Sequence, residues 1–140
     1  MKLLLAIDGS KFSEAATQAV IAQYQPKGTE VKVLNVVDLP LPIPISDAAG
    51  FRELSLKHGQ ELVQQAERQL SEAGYKTLTA VEEGDPNSKI IDQAKKWKAD
   101  LIVMGSHGRK GLNRFLMGSV AQTVSRHASC SVEIVRAPGN

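Results

Sequence analysis

The sequence predicts an α/β fold: a three-layer, open, twisted parallel sheet of five strands in the order 3-2-1-4-5, with helices on both faces. Three observations carry this. Short apolar runs alternate with segments of helical periodicity along the whole chain. Two of the runs, residues 3–7 and 101–104, are apolar at every position, as strands buried on both faces are. The third and fifth runs carry polar residues, which suits sheet edges. The all-apolar runs therefore take the middle of the sheet, and the winding reverses between strands one and four. In such sheets, ligands bind beyond the carboxyl ends of the strands at the point of reversal.

Each element has its own local reason. The first strand, 3–7, ends at Asp8-Gly9-Ser10, a turn signal, and Ser10 is placed to cap a helix with its hydroxyl. Ala15, Ala16, Ala19 and Val20 recur at helical spacing until Pro26-Lys27-Gly28 stops them. Val31, Val33, Leu34, Val36 and Val37 make a second strand rich in β-branched residues. Residues 38–45 alternate prolines (Pro40, Pro42, Pro44) with aliphatics, which excludes helix and central strand and reads as a stiff extended loop. A long helix is predicted over 51–73, with Leu62, Val63, Ala66, Leu70 and Ala73 on its apolar face and Gly74 just past its end. Residues 77–81 form a short, more polar strand. Gly84-Asp85-Pro86 opens a third helix, with Ile90, Ile91, Ala94 and Trp97 facing inward. Strand 101–104, a helix from 119 to about 128 and strand 132–135 complete a Rossmann-like order, and residues 138–140 fray.

Length and composition bound the function. The 140 residues fit one domain, 1–140, with a substantial core. A net charge of +2 is too small to imply nucleic-acid binding through bulk electrostatics, and aromatics at 4% supply no stacking face. The one cysteine, Cys130, excludes an internal disulfide and reads as a small hydrophobe. The opening apolar run is too short for a signal peptide, and no run approaches the roughly 20 residues of a membrane span. A soluble, cytoplasmic protein is the expectation.

The chemistry concentrates between residues 101 and 120. A buried strand runs into a glycine-studded, basic loop holding Gly105, His107, Gly108, Arg109, Lys110, Gly111 and Arg114, then into Gly118-Ser119 at a helix start. Strand, glycine loop and helix N-terminus are the parts of an anion site: freed N–H groups converge, and the helix dipole adds partial positive charge. Glycine serves where a Cβ would collide with phosphate. This loop is read as holding the phosphates of a nucleotide. The crevice at the winding reversal brings it to Asp8-Gly9.

With Asp8-Gly9-Ser10 and Gly105-x2-Gly108-x9-Gly118-Ser119 in view, the chain resembles the universal stress protein family over nearly its whole length. The spacing matches, without a gap, the signature of the members that bind ATP. What the resemblance implies is a homodimer that binds ATP with a divalent ion such as Mg2+ and serves in stress responses. By position, Ala6, Asp8 and Val36 would meet the adenosine, and Gly105, Gly108, Gly118, Ser119 and Val120 the ribose and phosphates. Met104 and Arg109 join the expected nucleotide contacts.

Several residues keep two readings. Asp8 can accept from ribose hydroxyls or the adenine amine, or serve only as a turn residue. Ser119 can meet a phosphate, ligate Mg2+ or cap the helix. Arg109, Lys110 and Arg114 face phosphates or solvent, and His107 is a phosphate contact or a polar loop residue. Val132, Ile134 and Val135 form an apolar edge that a second copy would cover, or that packs on the fourth helix. No P-loop signature and no Gly-x-Gly-x-x-Gly after the first strand is present. Nor is any residue besides Asp8 placed to orient a nucleophile, so hydrolysis is expected to be slow at most. The competing reading is a nucleotide-independent homodimeric interaction protein of the same fold.

Overall fold

The computed structural model describes residues 1–38, 45–108 and 117–137. Along these the chain runs β1 (Lys2–Ala6), α1 (Lys11–Gln23), β2 (Glu30–Val37), α2 (Ile45–Glu72), β3 (Lys76–Glu83), α3 (Pro86–Trp97), β4 (Leu101–Gly105), α4 (Ser119–His127) and β5 (Ser131–Val135). The strands form one parallel sheet ordered β3-β2-β1-β4-β5, as predicted. The expectations for the prolines at 40, 42 and 44, for Arg109, Lys110, Gly111 and Arg114, and for residues 138–140 lie outside the described residues.

Burial explains the order. Leu3, Leu4 and Leu5 of β1 lie opposite Leu101, Ile102 and Val103 of β4, and Leu3 and Leu5 face Val31 and Val33 of β2. Strand alternation then divides the core in two. Leu3, Leu5, Val31, Val33 and Val103 meet Ala16 and Val20 of α1 and Val63, Ala66 and Leu70 of α2. Leu4, Ala6, Leu34, Ile102 and Met104 meet Ile90 and Ala94 of α3 and Ala121 and Val124 of α4. Each fully buried leucine contributes roughly 1.5–3 kcal/mol, and only the central strands have both faces available for it.

The caps follow local chemistry. The Ser10 hydroxyl accepts from Ser13 N–H at 3.2 Å, and Asp85 accepts from Ser88 N–H at 3.2 Å with Pro86 just inside α3. Gly74 takes the left-handed conformation after α2 (φ 98°) that a side chain disfavours. Two elements are longer than predicted. α2 starts at Ile45 rather than 51, and its residues 49–54 are exposed (Leu54 is 70% exposed) and so show no core-facing stripe. An Arg52–Glu83 ion pair of 2.7 Å ties them to the sheet. β3 runs over eight residues rather than 77–81, since it pairs with β2 from Glu30–Lys76 to Val37–Glu83 through backbone groups that need no apolar side chains. Apolar counting also passes over Ser13 and Thr17, which are buried in α1 with their hydroxyls donating to Ser10 and Ser13 carbonyls. Among the described residues no helix is long and apolar enough to cross a membrane.

Tyrosines and the cysteine stitch the layers. Tyr75, buried at the start of β3, donates to the carbonyls of Val20 and Tyr24 at the end of α1. Tyr24 donates to the Glu133 carboxylate of β5. That hydrogen bond, followed by burial and the Glu133 charge, pushes the Tyr24 phenol up to about 12, and burial raises Tyr75 as well. Burial, then the charge of Asp100, pushes the Cys130 thiol up, which keeps it protonated and unreactive. The Tyr24 bond stabilises the native state below pH 10 and is lost as pH climbs from 10 through about 12. Tyr24→Phe is expected to cost roughly 1 kcal/mol at neutral pH. In urea melts the gap from the parent is expected to close across that alkaline window, and ultraviolet titration is expected to find the Tyr24 phenol still protonated near pH 10.

Candidate functional site

The winding reverses between β1 and β4, so the chain leaves β1 toward one face of the sheet and leaves β4 toward the other. Two turns meet there. Asp8 follows β1, half-buried, and its Oδ1 accepts from Ser10 N–H at 3.0 Å. Gly108 follows β4 so closely that a Cβ there would sit 2.8 Å from Asp8 Oδ2. The carboxylate therefore occupies the space a side chain at 108 would need. Any larger residue there displaces Asp8.

The glycine loop is pinned at both ends on Ser106. Its N–H donates to Val135 C=O, and its C=O accepts from Gly118 N–H, each at 2.7 Å. A Cβ at Gly118 would lie 3.1 Å from the Ser106 carbonyl oxygen and 3.2 Å from His107 Cα. His107 is half-buried: its Nδ1 is 3.2 Å from Ser106 Oγ, and its ring packs against Phe12 with centroids 5.1 Å apart. Gly118, not Ser119, caps α4, and among the described residues no side-chain cap bond is made at the helix's first turn. Ser119 is the first helical residue and is exposed, so its reading as the cap is corrected. The dipole of α4 leaves partial positive charge beside Ser106 and His107, the nearest neighbours of Gly118.

The expected apolar contacts share one side of the sheet. Ala6 and Met104 are buried, and Val36 and Val120 half-buried, in the cluster under α3 and α4. Gly105 points the other way. A Cβ on it would lie 2.7 Å from Phe12 C and Cβ and 2.8 Å from Phe12 O, so this glycine lets the first turn of α1 rest on the end of β4. Arg109 lies outside the described residues. Sequence reasoning missed Phe12, Ser106 and Asn35. Asn35 had a signal, an amide inside a run of valines and leucine. Ser106 had none, because its role is played by backbone groups.

Residues 1–136 match the universal stress protein family. The chain belongs to that family. A universal stress protein of Methanocaldococcus jannaschii is 36% identical over 140 residues, covering 98% of this chain and 82% of that one. The structure of the universal stress protein UspA from Lactobacillus plantarum aligns with a TM-score of 0.85 at 26% identity, covering 97% of each chain. A universal stress protein family protein from Arabidopsis thaliana, solved with AMP bound, shares the fold with a TM-score of 0.77 at 18% identity, covering 99% of this chain and 93% of that one.

For this universal stress protein, the close contact at Gly105 is the most exacting feature of the fold around the site. Its neighbour is main chain, which has no rotamer to yield. Gly105→Ala is expected to lower stability by about 1–3 kcal/mol, read as a lower urea midpoint with an unchanged slope.

Proposed function

We propose that this universal stress protein binds ATP in the crevice beyond β1 and β4 and acts as a dimeric regulatory module of the stress response, with at most slow hydrolysis. The observation that carries the reading is the approach of Gly108 to Asp8, where a Cβ would meet the carboxylate at 2.8 Å. Asp8 offers a carboxylate for ribose or adenine donors, and the α4 N-terminus at Gly118, next to His107, offers amides to phosphate. Ala6, Val36 and Met104 form the apolar wall for the base. Gly105, Gly108, Gly118, Ser119 and Val120 line the path of the ribose and phosphates, and Arg109 is assigned to them from its place in the motif. The exposed Ser119 hydroxyl would be the protein ligand for Mg2+ carried on the nucleotide, and the ion would supply neutralisation of phosphate charge. The fold neighbour solved with AMP supports the ligand class. Asp8 already accepts from the Ser10 amide, which suits holding a hydroxyl more than orienting an attacking water.

The dimer rests on β5. It is an edge strand whose Val132, Ile134 and Val135 are only half-buried, and pairing with the same strand of a second copy would cover them. One observation favours the competing reading, a nucleotide-independent interaction protein: Gly105 and Gly118 both have packing reasons to be glycine. Gly108 separates the two, because a side chain there meets the Asp8 carboxylate.

Saturating ATP with Mg2+, at about 100 times Kd, is expected to raise the melting temperature of nucleotide-free protein by roughly 8 °C. Gly108→Val abolishes that rise. A melting curve that ATP leaves unmoved would refute the reading. For the dimer, Ile134→Lys is expected to halve the mass measured by light scattering; an unchanged mass places the interface elsewhere.

A further inference from the structure

The structure assigns Asn35 as the positioning residue for Asp8, an inference that rests on the nucleotide-site reading above. The main-chain ladder between β1 and β2 ends near Ala6–Leu34, with Ile7 N–H donating to Leu34 C=O at 2.9 Å as the next bond. Past that point the Asn35 side chain takes over. Its Nδ2 donates to the Ile7 carbonyl at 2.8 Å. That carbonyl belongs to the peptide group that carries Asp8. The peptide is thus held from one side by Asn35, and the Asp8 carboxylate from the other by the Ser10 amide.

Asn35 is itself locked. It is 5% exposed, on the face of β2 that packs against α2. Gly59, in the middle of α2, stands directly over it: a Cβ there would lie 2.6 Å from Asn35 Oδ1 and 3.2 Å from Val81 Cγ1. A glycine inside a helix is less favourable than an alanine there. Here it leaves room for an amide that a valine or leucine would replace if packing were the only demand. An isolated buried amide also carries a desolvation penalty, which the bond to Ile7 C=O offsets. Both features make sense if the orientation of the Ile7–Asp8 peptide matters. The side chain at position 35 touches no nucleotide. It acts through Asp8 alone.

The test separates a positioning role from a structural one by asking which end of the nucleotide loses affinity. The ribose end is read as the ratio of Kd for 2′,3′-dideoxyATP to Kd for ATP, and the phosphate end as the ratio of Kd for AMP to Kd for ATP. The wild-type protein is expected to favour ATP over the dideoxy analogue by roughly ten-fold, the effect of one hydrogen bond to a charged group. Asn35→Leu, which keeps the volume and removes the donor, is expected to bring that ratio to within about two-fold while the phosphate ratio stays at its wild-type value. Gly59→Ala, which pushes on Asn35 without changing it, is expected to do the same and carries the test if Asn35→Leu does not fold. A variant that folds and keeps wild-type ribose discrimination overturns the role of Asn35 and leaves the nucleotide reading standing. So does one that loses both ratios together. Wild-type protein that binds no nucleotide overturns both.

Discussion

The end of β4 and the first turn of α1 touch through backbone, and the site is arranged around that contact. Gly105 is the only residue type that lets Phe12 main-chain atoms come within 2.7 Å of where a Cβ would be. With α1 seated there, the Asp8-Gly9-Ser10 turn has one place to go. It lies beside the chain leaving β4, where Gly108 makes room for the Asp8 carboxylate. The phenyl ring of the same Phe12 supports His107 at the root of the loop. One close packing decision thus sets the distance between two turns that are far apart in sequence.

Anchorage of the loop is separate from its chemistry. Ser106 receives Gly118 and donates to Val135, so the chain returns to α4 at the point from which it left β4. The loop's two ends are therefore tied together at Ser106 by main-chain bonds. This division assigns different work to the three signature glycines. Gly105 serves packing, Gly118 serves closure, and Gly108 alone faces the carboxylate.

The two faces of the sheet have different tasks. The α1 and α2 side carries the long aliphatic core, the tyrosine pair and the Asn35–Gly59 contact. The α3 and α4 side carries the cluster of Leu4, Ala6, Leu34, Ile102 and Met104, with Val36 and Val120 packed against it. Both faces of the central strands are thereby closed, which is what their all-apolar sequences require.

Much of this was legible in the residues themselves. Unbroken apolar runs at Leu3–Leu4–Leu5 and Leu101–Ile102–Val103 identify strands buried on both faces, and that alone orders the sheet, because hydrophobic burial depends on a strand's own side chains. Ser10, Gly74 and Pro86 mark helix ends because capping is a matter of neighbouring backbone groups. The early start of α2 and the full length of β3 escaped notice, since exposed turns and edge pairing need no apolar pattern. The sequence by itself determined which elements form and how they are ordered. Tertiary structure alone decided that Gly105 is there for Phe12, that Gly108 yields to Asp8 and that Asn35 holds Ile7, because each is a contact across long sequence separations that depends on ångström-scale distances rather than on composition or period.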